Sequence, residues 1–488
     1  MTALPIPIAI VAVVVLGTIA FALLAVRKVG NDPTQFILGG RSFGVLFLWV
    51  LMGGELYTTF TFLGIAGWVY GRGAEIYYVL AVGGAAYVVA YLYLPRLWRF
   101  AKERDLLTFG DFFAARYESR GFGAITALLS TFTEALALLV YLTGLQIILG
   151  IAGLGAIDAT QAVLVAFVLV TLFVFTAGLR GMAWASIVKD ALMLGGIATV
   201  GFVLPIAFFG SPSAMLAHAI ASRPQAFTMG AWTAGNGKLW FISTATLNAV
   251  GFFGGVNAVA ATYAARSEET VRRNAVLLPL YSLMIVPMFF AGYTASLVLP
   301  GLHGTQSDSA YLRVLQAHFP LALLGLVCAA GTLAGVLPSA TRLLAAASQL
   351  MKNVLDDIFG IAKSGAAQTW ATRAFIVLIA SIALLLWVFL KASLVDLLLF
   401  VNNGQIQFLP GIMFGLFWKR VSLIPVATGL LIGEIAALGL TMHPAPLAGL
   451  NPGFVAGALN AATVVILTLV RSPGRAKKSA AQPSTGSG

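Results

Sequence analysis

Residues 52–64 read Met52-Gly53-Gly54-Glu55-Leu56-Tyr57-Thr58-Thr59-Phe60-Thr61-Phe62-Leu63-Gly64, a carboxylate and hydroxyls set beside paired glycines inside an apolar run. An ionised side chain at the centre of a membrane helix costs roughly 2.5 to 3.5 kcal/mol on insertion scales, so Glu55 calls for a partner or an aqueous cavity. Paired glycines mark a place where a helix can be interrupted, and an interrupted helix releases carbonyls and helix ends that hold ions or solutes. A second stretch has the same character: Gly251, Gly254, Gly255 and Asn257 lie between apolar segments. Membrane helices also use glycine simply to pack closely, and taken alone the glycines favour that reading.

The rest of the chain supplies the membrane. Of its 488 residues 60% are hydrophobic and 9% charged, with a mean hydropathy of +0.95, whereas soluble domains carry about 25% charged residues. At about 20 apolar residues per span, roughly a dozen spans are available. A single cysteine, Cys328, excludes a disulfide scaffold. Apolar runs of about 20 residues, rather than alternation, argue against a β-barrel. Bounded by charge or by Gly/Pro clusters, the runs predict thirteen spans. They lie near residues 5–26, 43–70, 76–98, 122–150, 158–178, 183–210, 239–264, 275–299, 320–348, 371–390, 395–418, 421–441 and 453–470. The first is not read as a signal peptide, because no basic segment precedes it and Arg27, Lys28 and Arg41 follow it.

The net charge of +12 tests that count. With alternate connectors assigned to opposite sides, 23 of the 29 basic residues, Arg342 among them, fall on one side, 5 on the other, and Lys189 lies inside a span. Basic residues mark the cytoplasmic side, which places the N-terminus outside and the C-terminus inside a plasma (inner) membrane. Basic residues scattered in this way do not form a nucleic-acid footprint. Spans 2 and 7 are five apart and so enter from opposite faces, which makes spans 2–6 and 7–11 two inverted five-helix units. The expected organisation is an extra span and loop (1–38), a first repeat (39–210), a second repeat (211–420), two extra spans (421–471) and a disordered cytoplasmic tail (472–488).

His218, His303, His318 and His443 fall in outer connectors or at their edges, and no HExxH, CxxC or GxxxxGK[ST] pattern occurs. Zinc hydrolysis, redox-centre and ATP-driven chemistry therefore have no residues to stand on, and an enzyme is not expected. Besides Glu55, the charges inside spans are Glu134, Lys189 with Asp190, and Glu434. Glu434 is read as helix packing or interface, Glu134 stays open, and Lys189 either snorkels to the inner face or is buried. Leu106 to Tyr117 reads as an amphipathic helix at the inner face.

Several stretches, in order, resemble the sodium:solute symporter family. They are Gly39-Gly40-Arg41-Ser42, Phe62-Leu63-Gly64-Ile65-Ala66-Gly67, Thr108-Phe109-Gly110-Asp111-Phe112 with Ala115-Arg116-Tyr117, and Gly178-Leu179-Arg180-Gly181 with Trp184. Ala264-Ala265-Arg266-Ser267 and Gly415-Leu416-Phe417-Trp418-Lys419-Arg420 extend the likeness over residues 39–420. The resemblance implies an all-α, thirteen-span fold of two inverted five-helix repeats. It also implies a sodium ion between spans 2 and 9, with carbonyls at Gly54, Tyr57 and Gly335 and hydroxyls at the positions of Pro338 and Ser339.

Pro338 has no hydroxyl, so four of the five oxygens remain, and a hard cation that wants about six needs help from water, Thr332, Thr341 or Glu55. Where the family carries Trp-Thr-Asp-x-x-Gln, this chain has Trp184-Ala185-Ser186-Ile187-Val188-Lys189. An ammonium in the place of the ion, with Glu55 and Lys189 as a proton-linked pair, is the alternative to sodium coupling. Solute contacts are expected from Glu55, Tyr57, Thr58, Thr59, Tyr141, Gln146, Phe252 and Asn257. Ala258, Ala260 and Ala261 suggest a small or partly apolar solute. The expected function is symport of a small organic solute across the bilayer, with no nucleic acid and no obligate protein partner. A membrane sensory module is the competing class.

Overall fold

The computed structural model describes residues 4–26, 32–54, 57–230, 237–389, 394–443 and 447–471. Glu55 and Leu56 lie outside the described residues. The described residues form helices and short connections, with one parallel bridge between Phe43 and Ala265. Eleven of the helical segments are long and apolar enough to cross a membrane.

Helix α1 is Ile6–Ala25, and the glycine-marked segment that follows is broken as its sequence suggests. Helix α2 (Val45–Gly53) stops, a π-helical turn forms over Phe60–Gly64, and α3 (Ile65–Arg72) completes the crossing. Helices α4 (Tyr78–Glu103), α5 (Phe109–Arg116), α6 (Arg120–Ala152) and α7 (Ala159–Phe209) come next. The second glycine-marked segment is broken too, into α8 (Lys238–Gly251) and α9 (Val256–Ala264). Beyond α10 (Glu268–Leu277) and α11 (Val286–Val298), the long α12 (Leu321–Gln349) runs through the interior. Helices α13 (Gly365–Phe389), α14 (Leu394–Gln405), α15 (Leu409–Phe417), α16 (Leu423–Met442) and α17 (Pro452–Arg471) end the order.

Two apolar segments are too long to be single crossings. Phe60–Glu103 has 44 residues and Thr160–Phe209 has 50; straight helices of that length would extend about 66 to 75 Å against a hydrocarbon thickness of about 30 Å. Each contains a glycine with positive φ where the sequence places a connector or its edge: Gly73 at φ 60°, and Gly178 at φ 56°, ψ 179°. The second pair of angles is essentially open to glycine alone.

Burial sorts the helices into a core and a rim. Most of α6 and most of α12 are buried, and these two pack on each other and on α7. On α13, α16 and α17, by contrast, Leu385, Val388, Leu431, Ile435, Ile466 and Leu469 are exposed. Apolar side chains on an outer face need no water when lipid surrounds them, so this surface is the solvent boundary of a membrane protein.

Helix α5 is the expected amphipathic segment and starts at a capping box. Asp111 N–H donates to Thr108 Oγ1 (3.2 Å) and Thr108 N–H donates back to Asp111 Oδ2 (3.0 Å). Phe109, Phe112 and Phe113 are buried against α6 and the start of α15, where Phe109 meets Phe408 edge-on.

The two broken helices are tied to each other. Phe43 N–H donates to Ala264 O (3.2 Å) and Arg266 N–H donates to Phe43 O (3.0 Å), so α2 begins beside the point where α9 ends. That attachment brings the two interruptions to one place.

Candidate functional site

Both interruptions open on a cavity of about 90 Å³. Thr58, Phe60 and Thr61 line it from the α2–α3 break, Gly251, Phe252, Phe253 and Asn257 from the α8–α9 break, and Tyr141 from α6. Arg342 of α12 with Asn402 and Gln405 of α14 close it.

A network of charged and amide groups stiffens one wall. Arg342 Nη1 donates to Glu134 Oε2 (2.9 Å), Arg342 Nε to the Tyr141 hydroxyl (2.9 Å), and Gln405 Nε2 to Glu134 Oε1 (2.7 Å). The Glu134 side chain is 1% exposed and that of Arg342 12%. A buried carboxylate is tolerated when its charge is paired and its lone pairs are satisfied, and both conditions hold here. Next to it Asn402 Nδ2 donates to Asn248 Oδ1 (2.9 Å), whose own amide donates to Thr244 O (2.8 Å).

The residues expected to touch solute separate into groups. Thr58, Tyr141, Phe252 and Asn257 line the cavity together. Thr59 turns toward α6, with Oγ1 3.4 Å from the Val140 carbonyl. Gln146 is half-buried and not among the lining residues; five positions past Tyr141 is about 140° around a helix of 3.6 residues per turn. Tyr57 donates its hydroxyl to the Tyr281 carbonyl and packs on the Tyr281 ring with centroids 4.8 Å apart. Glu55, expected to bind solute or carry a proton, lies outside the described residues.

Six polar lining residues were not anticipated: Thr61, Tyr78, Asn248, Arg342, Asn402 and Gln405. Arg342, counted above with the inner-side charges, lies within α12. The signals were present, since a carboxylate in mid-span such as Glu134 requires a cation. Likewise Asn402-Asn403-Gly404-Gln405 interrupts an otherwise apolar helix.

The residues expected to hold sodium lie on α2, at its break and on α12. Gly54 is at the end of α2, and a Cβ built on it would lie 2.8 Å from Lys189 Nζ. Gly335 faces Leu145 of α6, the nearest atom 2.6 Å from a built Cβ. Ser339 lines an apolar crevice with Leu138, Leu142 and Phe167, and its hydroxyl donates to Gly335 O (2.7 Å) and Val336 O (2.9 Å). Thr341, not Ser339, points between α2 and α9, where it shares a crevice with Leu51, Asn257 and Ala261.

Lys189 does not snorkel. Its side chain is fully buried, with Nζ 2.8 Å from Asp190 Oδ1, and the Tyr281 hydroxyl donates to Asp190 Oδ2 (2.7 Å). The break of α2, the middle of α7 and Tyr281 are thereby joined around one buried ion pair.

Comparison with known proteins places this architecture. The model of the sodium:solute symporter family matches residues 36–437. The chain belongs to the sodium:solute symporter family. Among similar members, an uncharacterised symporter of Bacillus subtilis, YhjB, is 31% identical over 96% of this chain and 98% of its own length. A monocarboxylate transport permease protein of Rhizobium johnstonii is 26% identical over 82% of this chain and 80% of its own. In three dimensions the chain is similar to a Na⁺-coupled sialic acid symporter in a substrate-bound, outward-open state, with TM-score 0.75, 16% identity and 96% of each chain covered. This sodium:solute symporter family protein is therefore a multi-pass membrane transporter, with a fold that such carriers share.

Proposed function

We propose that the protein is a secondary active symporter that imports a small organic solute by alternating access, driven by a sodium gradient. The observation that carries the reading is the polar cavity between two helices interrupted at matching places, because a broken helix offers backbone groups and helix ends to a passenger in mid-membrane. Coupling requires that cation and solute together stabilise the occluded state more than either does alone. Family membership and the sodium-coupled structural relative support sodium. Its ligands would be the carbonyls of Gly54, Tyr57 and Gly335 and the Ser339 hydroxyl, supplemented by water, Thr332 or Thr341.

The proposed topology is thirteen crossings, since division of the two over-long segments at Gly73 and Gly178 turns eleven into thirteen. Residues 39–210 and 211–420 would be the inverted repeats, with the N-terminus outside and the C-terminus in the cytoplasm. The charge asymmetry of the connectors and the attachment of α2 to α9 support this layout.

One observation favours a second reading, in which protons replace sodium. The Lys189 ammonium stands against Gly54 and carries the charge a sodium ion would bring there.

A thermal-shift measurement with solute, with and without sodium at two pH values, separates the readings, because a ligand that binds the folded state stabilises it by mass action. Sodium-dependent stabilisation by solute at constant pH is the expected result. Stabilisation that follows pH, ignores sodium and disappears in Lys189→Gln would replace sodium by the proton.

A further inference from the structure

On the side that the charge count assigns to the exterior lies a larger cavity, a vestibule of about 560 Å³ lined by Trp68, Arg72, Arg223, His303, Asp308 and Asp396 among others. An aromatic partition divides it from the central cavity. Trp68 lines the vestibule and Tyr78 the cavity, their ring centroids are 6.5 Å apart, and Trp240 of α8 packs on both, at 6.2 and 5.7 Å. All three rings are buried. A solute that enters from this side passes the partition only after Trp68, and α3 with it, has shifted.

Asp308 holds α3 in place there. It lies on the turn Gly304–Ser309, is 3% exposed, and its Oδ2 accepts from the Leu394 N–H at the start of α14 (3.2 Å). Its other side is filled by α3: a Cβ built on Gly67, the residue before Trp68, would stand 2.4 Å from Asp308 Oδ1 and 2.6 Å from its Cα. The turn, α3 and α14 thus meet at one carboxyl. The charged and titratable groups around it are Tyr70 and Arg72 of α3, Asp396 of α14, and Arg223 and His303 of the vestibule wall. The helix that follows, Ala310–His318, adds Tyr311, Arg313 and His318, with Arg313 Nε bonded to Ser309 Oγ (2.8 Å). Helix α6 packs on the same turn, but its charged residues, Arg120 and Glu134, do not line the vestibule. Arg72 and Asp396 act on Asp308 with opposite sign, so burial decides its proton affinity and holds the carboxyl at about 7.

We propose that Asp308 is a proton-operated latch on the outer approach: while neutral it keeps α3 seated and the aromatic partition closed, and when ionised it favours the arrangement in which water reaches it and α3 is released. The inference rests on the alternating-access reading and adds external pH as its regulator. An aspartate in water titrates near about 3.9, so the seated carboxyl keeps a proton that the hydrated one gives up. Between about pH 4 and 7 acid therefore favours the seated state, and the preference is lost as pH rises through 7. Complete hydration on release shifts the balance between pH 5 and pH 8 by about a hundredfold, and partial hydration by about tenfold.

The test places a reporter thiol in the central cavity, Leu398→Cys with Cys328→Ala, in the full-length protein in right-side-out membrane vesicles. A membrane-impermeant maleimide is added outside at pH 5 or pH 8 with the interior held at pH 7. Rates are compared with those of Asp308→Asn carrying the same reporter, which cancels the pH dependence of the thiol itself. The two proteins are expected to label alike at pH 5, and the one with Asp308 about tenfold or more faster at pH 8. His303→Gln is expected to keep this response. In Gly67→Ala the added methyl takes the space of Oδ1, and fast labelling at both pH values is expected.

A ratio of rates that is the same at pH 5 and pH 8, or a response that vanishes in His303→Gln with Asp308 intact, overturns the latch. Labelling needs no transport, so the two readings fail separately. If labelling follows Asp308 while no gradient drives accumulation of any solute, the latch stands and the symporter reading falls. If solute accumulates while the ratio of rates stays flat, the symporter reading stands and the latch falls.

Discussion

Lys189 Nζ lies 2.8 Å from Asp190 Oδ1, and both side chains are almost completely withdrawn from solvent, at 0% and 6% exposure. Neighbours in sequence point about 100° apart on a helix, so this pair meets only because the long lysine stem bends back along α7 beneath Gly54. Asp190 is held from its other side by Tyr281, whose carbonyl accepts from Tyr57. A change of charge at Lys189 is thus felt at the break of α2.

Removal of one partner from this pair is expected to cost more than removal of both. Lys189→Ala strands a buried carboxylate and should lower stability by about 3 to 5 kcal/mol. Lys189→Ala/Asp190→Ala should lose distinctly less. Equilibrium unfolding of the single and double variants in detergent checks this, and equal losses would mean that the two charges are not coupled.

The turn at Gly178 gives a second expectation. Its φ of 56° with ψ near 180° is closed to side chains, and a built Cβ would also stand 3.0 Å from the Phe36 ring. Gly178→Ala should destabilise the protein by about 1 to 3 kcal/mol, read as a lower unfolding midpoint. A midpoint equal to that of the wild type would show that α7 does not need this turn.

How far the sequence carried the reading can be judged from such residues. The interruptions at Gly53-Gly54 and at Gly251 to Gly255 were legible because the glycines stand beside polar groups inside an apolar run, in two segments that enter from opposite faces. Connectors near Gly73 and Gly178 were legible from the charges and glycines that bound the apolar runs there. What stayed hidden was azimuth and partnership. Thr59 and Thr58 are adjacent in sequence and face different walls, and Ser339 and Thr341, two residues apart, face different sides of α12. Arg342 was hidden for another reason: a cation near the end of an apolar run looks like a topology signal until the carboxylate 208 positions away is brought beside it.

The surface of α3 and α14 opposite the central cavity carries a pH dependence. There Arg72 of α3 grips Asp396 of α14 through two contacts of 3.1 Å, and Asp308 is buried against Gly67 while it accepts from the Leu394 N–H (3.2 Å). Burial, with a smaller contribution from the Asp396 charge, raises the Asp308 carboxyl to about 7, against the opposing effect of the Leu394 hydrogen bond and Arg72. Between about pH 4 and 7 the folded chain therefore holds a proton that the unfolded chain has released, so stability falls as pH rises through that window and levels off above it. The unfolding midpoint should drop from pH 5 to pH 8 in the wild type and drop less in Asp308→Asn. Identical pH profiles for the two proteins would remove Asp308 as the source.

Concentrative uptake into proteoliposomes tests the central claim most directly. With an inward sodium gradient imposed at equal pH, internal solute should rise above the external concentration and then fall back when an ionophore dissipates the gradient. Solute that only equilibrates, or never enters under a sodium or a proton gradient, would contradict symport and leave a channel or a sensor in its place.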